Sequence, residues 1–243
     1  MIRNIKLKIE YDGTNYAGWQ YQDNALSIQD VVEKAISKVV NTKIRLNGAS
    51  RTDSGVHALG QVANFKTDSQ IELYNLKRGI NCNLPKDINI LDCEEAKETF
   101  HARFDAKKKY YRYVVSRIYS PIHRFYSYSF TYNVSIEILR ETANYLIGEH
   151  DFTSFTQYQI EDIRPVRSID KIEIIEKNDF IYFDFEAQSF LKKMIRVIVG
   201  TLLEMASKKI PPEEILKIID SRNRNKAGDT VPGKGLFLMK IYY

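Results

Sequence analysis

A chain of 243 residues is long enough to bury a sizeable core, as one large domain or as two small domains packed together. Its 36 basic and 31 acidic residues leave a net charge of +5, too small an excess to indicate a nucleic-acid partner by itself. No apolar run is close to the length of about 18 residues that a membrane-spanning helix needs. The first residues, MIRNIKLKIEYDG, do not resemble a signal peptide, so we expect a cytoplasmic protein without a membrane partner.

The first half of the chain shows hydrophobic patterns of both strand and helix type. Ser27 precedes a continuous apolar face at helical spacing and is a plausible N-cap for a helix over residues 28–40. A second helix is predicted at 73–80. Alternation or short apolar runs predict strands at 5–11, 43–47, 61–67 and 88–91.

The second half is also mixed. We predict strands at 110–118 and 236–242, a hairpin of 169–176 and 180–187, and helices at 136–147, at 189–206 and from Pro211 onward. The order is not a regular βαβα alternation, which favours an α+β fold with a largely antiparallel sheet. The polar segment 101–109 predicts a boundary between two α/β halves, 1–105 and 106–243.

The two cysteines and four histidines do not form a metal-binding pattern. Ten residues separate Cys82 from Cys93, which excludes a CxxC pair, and the histidines are scattered. We therefore expect two reduced structural thiols, no metal and no cofactor.

Cations alternate with aromatic residues just after the predicted boundary. Residues 107–113 read KKKYYRY, and 117–128 read RIYSPIHRFYSY. Such a pattern suits RNA, whose phosphates attract the cations and whose unstacked bases lie against aromatic rings. It is equally typical of half-buried strand tyrosines with lysines that keep a sheet edge soluble.

The segment RTDSGVHA, residues 51–58, carries the strongest candidate for catalysis. Asp53 lies two residues from the guanidinium of Arg51 and four from the imidazole of His57, in a predicted loop between strands. A nearby cation favours an ionised carboxylate, which is available as a nucleophile or base. The alternative is a structural turn in which Asp53 bonds backbone amides and Gly55 supplies a positive φ.

Other reaction classes fit this segment less well. It contains no second carboxylate of the kind that glycoside hydrolysis needs, and no nucleophile-elbow motif accompanies Ser54 and His57. The chain has neither a phosphate-binding P-loop nor a dinucleotide fingerprint. A reaction that uses one carboxylate, without metal or cofactor, remains.

Six motifs in order resemble the tRNA pseudouridine synthase A family over almost the whole chain. RTDSGVHA is similar to the family signature GRTDAGVHA, and the other five are IEYDGTNYAGWQ, FHARFDAKKKYYRY, GEHDFTSF, FLKKMIRVIVG and PGKGLFLMKIYY. The chain departs from the family at Ser50, where glycine is usual, at Ser54, where alanine is usual, and at Tyr110, where a basic residue is common.

The resemblance implies an enzyme that isomerises uridine to pseudouridine, with specific roles for four residues. Asp53 would be the catalytic nucleophile, and Tyr111 would stack on the flipped uracil. Arg196 would pair with Asp53, and Arg51 would help to extrude the target nucleotide or take its place in the stem. Arg196 lies in the apolar run MIRVIVG, where a buried arginine needs a partner.

The resemblance also implies an architecture and partners. We expect the pseudouridine synthase fold, in which two ferredoxin-like halves share an extended, mainly antiparallel sheet. The family acts as a homodimer on tRNA, at uridines 38 to 40 of the anticodon stem-loop. A paralogue that modifies other tRNA positions or ribosomal RNA remains an alternative, as does an RNA-binding protein without essential catalysis.

Overall fold

The computed structural model describes residues 2–157 and 164–243, which form two compact units. Unit 1 comprises Met1–Lys107 together with Phe237–Tyr243, and unit 2 comprises Lys108–Leu236. The division of the chain into functional halves at residue 105 stays a prediction. Within the described residues, no helix has both the length and the apolar character needed to cross a membrane.

The sheet of unit 1 is mainly antiparallel. Its principal strands, in spatial order, are β4 (Ile88–Ala96), β1 (Arg3–Tyr11), β3 (His57–Thr67) and β10 (Leu236–Tyr242). β1 pairs antiparallel with both β3 and β4, whereas β10 runs parallel to β3. The two-residue strand β2 (Asn47–Gly48) also pairs with β3.

Two amphipathic helices belong to unit 1, α1 (Ile28–Val40) and α2 (Leu73–Asn83). Ser27 caps α1 as predicted, since its side-chain oxygen accepts the backbone N–H of Asp30 at 3.3 Å. The helices approach closely where Gly79 faces Val39, because a Cβ on Gly79 would lie 3.1 Å from a Val39 methyl group.

The strands of unit 2 are also mainly antiparallel. Their order is β5 (Lys108–Ser116), β9 (Phe180–Ala187), β8 (Val166–Lys177) and β7 (Gly148–Asp151), and the short β6 (Tyr128–Ser129) pairs parallel with β5. The predicted hairpin is confirmed as β8–β9, and Asn178 adopts the left-handed conformation in its turn, with φ 54°. The α-helices among the described residues of unit 2 are α3 (Ile136–Asn144), α4 (Met194–Lys208) and α5 (Glu214–Ser221).

Several predicted boundaries were wrong for local reasons. The long helix α4 begins at Met194 rather than at 189, because Lys193 has a left-handed backbone with φ 61°. α3 ends at Asn144, before the predicted 147, and Gly148 begins a strand instead of following a helix. The predicted strand at 43–47 was wrong, since only β2 forms there.

The α+β class with a large, mainly antiparallel sheet is confirmed. The core consists of the inward faces of the strands and helices, including Leu7, Phe65, Tyr113 and Phe183, none of which is more than 1% exposed. In unit 1 the strands β1 and β3 are the ones that position the catalytic candidate, because the loop that carries Asp53 leads directly into β3.

Candidate active site

Asp53 lies in the loop that connects β2 to β3. The residue is half-buried, Arg51 is exposed, and His57 at the start of β3 is buried. A turn closes the loop at Asp53, whose carbonyl accepts the N–H of Val56 at 3.2 Å. Gly55 has φ 74°, the left-handed conformation that glycine adopts without steric cost.

A turn formed by residues 11–19, which begins at the last residue of β1, holds this loop through backbone hydrogen bonds. The N–H of Trp19 donates to the carbonyl of Thr52 at 3.0 Å, and the N–H of Gly55 donates to the carbonyl of Tyr16 at 3.4 Å. The Ser54 hydroxyl donates to the same Tyr16 carbonyl at 3.1 Å. The residues on both sides of Asp53 are thus fixed to one neighbouring segment.

Two glycines let the turn and the loop approach each other. A Cβ on Gly13 would lie 2.0 Å from the carbonyl oxygen of Val56, and a Cβ on Gly18 would lie 2.5 Å from that of Thr52. Gly18 also has φ 101°, which disfavours any side chain. The DG and AGW steps of IEYDGTNYAGWQ are therefore steric requirements of the Asp53 loop.

Side chains add two further contacts between the turn and the loop. The hydroxyls of Tyr11 and Thr52 share a hydrogen bond of 2.8 Å, and Nδ1 of His57 lies 3.1 Å from the N–H of Gly13. The same Nδ1 is 3.0 Å from Oδ1 of Asp12. The His57 ring stacks on Phe237 of β10, with the ring centroids 4.7 Å apart.

Ser50, a departure from the family pattern, is accommodated without strain. Its backbone does not adopt a positive φ, so glycine is not required at this position. The Gln61 side chain accepts the N–H of Ser50 at 3.3 Å and donates to its carbonyl at 2.6 Å. This pairing fixes the loop where it leaves β2.

In unit 2, Tyr111 projects from β5 toward the buried side of the sheet. Tyr111 is only 5% exposed. Its ring packs edge-on against the ring of Phe190, with the ring centroids 5.4 Å apart. Tyr113, two residues further along the same face, donates its hydroxyl to the carbonyl of Pro232 at 2.7 Å. Burial raises the pKa of Tyr113 well above its ordinary value, and the charge of Arg196 only partly opposes this.

Arg196 lies in the first turn of α4 and is half-buried. Its Nε donates to the carbonyl of Val231 at 2.8 Å, and the N–H of Val231 donates back to the Arg196 carbonyl at 3.4 Å. Side chain and backbone of Arg196 are therefore both tied to the segment that precedes β10.

Comparison with known proteins identifies the family. The family profile described as tRNA pseudouridine synthase matches residues 8–105 and 142–243. The chain belongs to the tRNA pseudouridine synthase family. The family assignment makes the protein an enzyme of the isomerase class. Asp53 and Arg196 lie within the matched residues, and Tyr111 lies between the two matched ranges.

Relatives named tRNA pseudouridine synthase A align with the whole chain. Those of Thermoanaerobacter sp. (strain X514) and Acetivibrio thermocellus are each 43% identical, and both chains are covered completely in each alignment. A relative in Clostridium perfringens, named tRNA pseudouridine synthase A 2, is 44% identical with the same complete coverage. A solved archaeal box H/ACA Nop10–Cbf5 complex gives 13% identity and a TM-score of 0.34 over 82% of this chain and 42% of that chain, too distant for any conclusion.

A cluster that the sequence did not indicate lies on the outer face of β5. The Arg112 guanidinium binds both carboxylate oxygens of Asp184 at 2.7 Å, and the Tyr110 hydroxyl donates to the same carboxylate at 3.0 Å. Burial, followed by the bond to Asp184, raises the pKa of Tyr110 to about 12. Tyr110, the third departure from the family pattern, is thus part of a structural network.

The predicted basic and aromatic segment is partly neutralised by acids on neighbouring strands. Lys108 pairs with Glu186, Arg112 with Asp184, and Arg117 with Glu176. The pairing of Arg112 with Asp184 could not be predicted from the sequence, because it becomes visible only once β5 and β9 are aligned. These three cations are therefore engaged in ion pairs within unit 2.

The predicted site residues are distributed over both units. Arg51 and Asp53 belong to unit 1, whereas Tyr111 and Arg196 belong to unit 2. The pairing of Arg196 with Asp53 and the stacking role of Tyr111 stay predictions. In the described part of the chain, no group of three or more histidine, cysteine, aspartate or glutamate side chains is arranged to hold a metal ion.

Proposed function

We propose that this protein is a tRNA pseudouridine synthase that isomerises uridines 38 to 40 of the anticodon stem-loop, with Asp53 as its nucleophile. The observation that carries the proposal is the 43% identity over the whole chain to relatives named tRNA pseudouridine synthase A. The rigidly held loop that presents a half-buried Asp53 supports it, because a catalytic carboxylate must be kept in one position.

The isomerisation of uridine to pseudouridine requires a carboxylate and a closed pocket from the protein. The N1–C1′ bond of uridine breaks, the base turns, and a C5–C1′ bond forms. The proton of C5 is lost and N1 gains one, so no atoms are added overall. Attack of Asp53 on the sugar, attack on the base and removal of a sugar proton all satisfy this balance.

We assign the other three residues to substrate handling. The target nucleotide must leave the helix at a cost of about a few kcal/mol, which stacking on the Tyr111 ring offsets. Arg51, exposed two residues from Asp53, takes the place of the extruded nucleotide. Arg196 pairs with Asp53 and keeps its carboxylate charged.

The functional assembly in this proposal is a cytoplasmic homodimer that grips one tRNA. Both properties rest on the resemblance to the family. Light scattering tests the assembly, with a mass of twice the 28.3 kDa of one chain expected and a single-chain mass contradicting it.

The substrate is tested by mapping pseudouridine in a transcribed tRNA that carries uridine at positions 38 to 40. The matched control is the same tRNA with those uridines replaced by cytidine, which preserves length and charge. Product at 38 to 40 and none in the control is expected. Product at other positions, or only in ribosomal RNA, would contradict the proposed substrate while retaining the reaction.

A further inference from the structure

The Asp53 loop is attached to the turn of residues 11–19 by side chains on both sides of Asp53. Immediately before Asp53, the Thr52 hydroxyl shares a hydrogen bond of 2.8 Å with the hydroxyl of Tyr11. Beyond the Asp53 turn, Nδ1 of His57 lies 3.1 Å from the N–H of Gly13. Tyr11, Thr52 and His57 are at most 8% exposed and Gly13 is also buried, so neither contact is easily replaced by water.

We infer that His57 and Tyr11 are positioning residues for Asp53. His57 accepts the N–H of Gly13, Tyr11 binds Thr52, and together they fix the position of the loop that carries the catalytic carboxylate. This inference rests on the proposed function of Asp53. A displacement of about 1 Å at a reacting group can lower a rate about a hundredfold, so both contacts act on the chemical step and leave tRNA affinity unchanged.

The role of His57 as an acceptor follows from its neighbours. Nδ1 has one site, so it either accepts from Gly13 or, when protonated, donates to Asp12. Oδ1 of Asp12 already accepts the N–H of Thr14 at 2.9 Å and its hydroxyl at 2.5 Å. The backbone of Gly13 cannot shift to bring its N–H to another acceptor, because its Cα is packed against the Val56 carbonyl.

Stacking on Phe237 alone does not explain a histidine at this position. The stacked ring contact would be satisfied by phenylalanine, which has nearly the same shape but no acceptor. A phenylalanine at 57 would leave the Gly13 N–H buried and unpaired, which is unfavourable because a buried donor without an acceptor loses its hydrogen bond to water. Two substitutions therefore separate the ring from the acceptor.

The first experiment compares His57→Phe with His57→Asn in single-turnover tritium release at saturating tRNA. Phenylalanine retains the ring and deletes the acceptor, whereas the asparagine amide oxygen can take the place of Nδ1. We expect His57→Phe to lower the rate constant about 10- to 100-fold with unchanged tRNA Kd, and His57→Asn to retain most of the wild-type rate. Equal losses in both variants, or a change confined to Kd, would overturn the role of the acceptor.

The second experiment is a double-mutant cycle of Tyr11→Phe and Thr52→Val. Both substitutions keep the side-chain shape and delete the same hydrogen bond, so each should lower the rate constant similarly and the double variant should lose no more. Additive losses would overturn the inference. If His57→Phe does not fold, as shown by its thermal melt, this cycle and His57→Asn decide the question.

The positioning role and the proposed function can be contradicted by different results. Absence of tritium release by the wild-type protein would contradict the proposed function itself. An active wild type whose His57→Phe variant is folded and equally fast would contradict only the positioning role.

Discussion

Asp53 owes its position to the residues beside it. Thr52, Ser54 and Gly55 each hydrogen bond to the turn of residues 11–19, so the loop is held by its backbone as well as by its side chains. A carboxylate mounted in this way can stay half-exposed to substrate without being mobile. Loops fixed by a rigid scaffold are where catalytic groups are commonly found.

Replacement of Ser54 by alanine, the usual family residue, tests how much the extra hydroxyl contributes. The substitution deletes one hydrogen bond from an exposed residue to the Tyr16 carbonyl, which keeps the N–H of Gly55 as a donor. We expect a loss of at most about 1 kcal/mol in unfolding free energy and kcat within about twofold of wild type. A tenfold loss of kcat would show that Ser54 is needed for the reaction.

Sequence reasoning could find Asp53 but not its supports. The segment RTDSGVHA places a carboxylate, a guanidinium and an imidazole together, which is a local pattern. The bonds from Tyr11 and Trp19 to Thr52 join segments more than 30 residues apart and leave no local signal. The motif IEYDGTNYAGWQ was recognised only as part of a resemblance, and its steric role comes from the structure.

At the scale of elements, the start of helix α1 was predicted and the start of strand β3 was missed. The capped, one-sided pattern of α1 gave its start correctly, because one face of that helix is exposed. β3 is buried at nearly every position, so its sequence does not alternate and its first residues, from His57, were missed. Cross-strand partners such as Asp184 require the register of the sheet, which one sequence does not reveal.

The pair of Arg112 and Asp184 should stabilise the β5–β9 ladder far more than an exposed pair does. Asp184 is 7% exposed, so Arg112→Ala leaves a buried carboxylate that has lost its cation and keeps the Tyr110 hydroxyl as a donor. We expect a loss of about 3 kcal/mol in unfolding free energy, measured by urea denaturation.

Arg117→Ala is the matched control for this prediction. Arg117 pairs with Glu176, and the two side chains are 37% and 38% exposed, so solvent screens the interaction. The expected loss is below about 1 kcal/mol. Equal losses in the two variants would contradict the assigned importance of the Arg112 network.

At the scale of the whole molecule, the final strand belongs to unit 1 from Phe237 onward. β10 pairs with the start of β3, Phe237 stacks on His57, and the Tyr243 hydroxyl donates to the carbonyl of Ala102 at 2.8 Å. The last residues of the chain thus support the Asp53 loop from a position far away in sequence. Hydrophobic alternation predicts such a strand but not the unit that it joins.

Both cysteines belong to unit 1, so their reactivity reports on the opening of that unit. Burial raises the pKa of Cys93 to about 11, whereas Cys82 is exposed on α2. At pH 8 we expect a thiol reagent to label Cys82 quickly and Cys93 only after unfolding, with Cys82→Ser as the control. Because the pKa of Cys93 is higher in the folded chain than in the unfolded chain, the unfolded thiol ionises first as the pH rises. The contribution of the buried, neutral thiol to the free energy of unfolding is therefore present below about pH 9 and lost toward pH 11. Equal labelling of both thiols at pH 8 would contradict the assigned burial.

The most direct test of the account is tritium release from tRNA labelled at C5 of uracil. Wild-type protein is compared with Asp53→Asn, which preserves shape and removes the charge, and with Asp68→Asn, an exposed aspartate of the same unit. We predict release by the wild type and the Asp68 variant, and none by the Asp53 variant, whose tRNA binding should persist. Release by Asp53→Asn at the wild-type rate would contradict the assignment of Asp53 as the catalytic nucleophile.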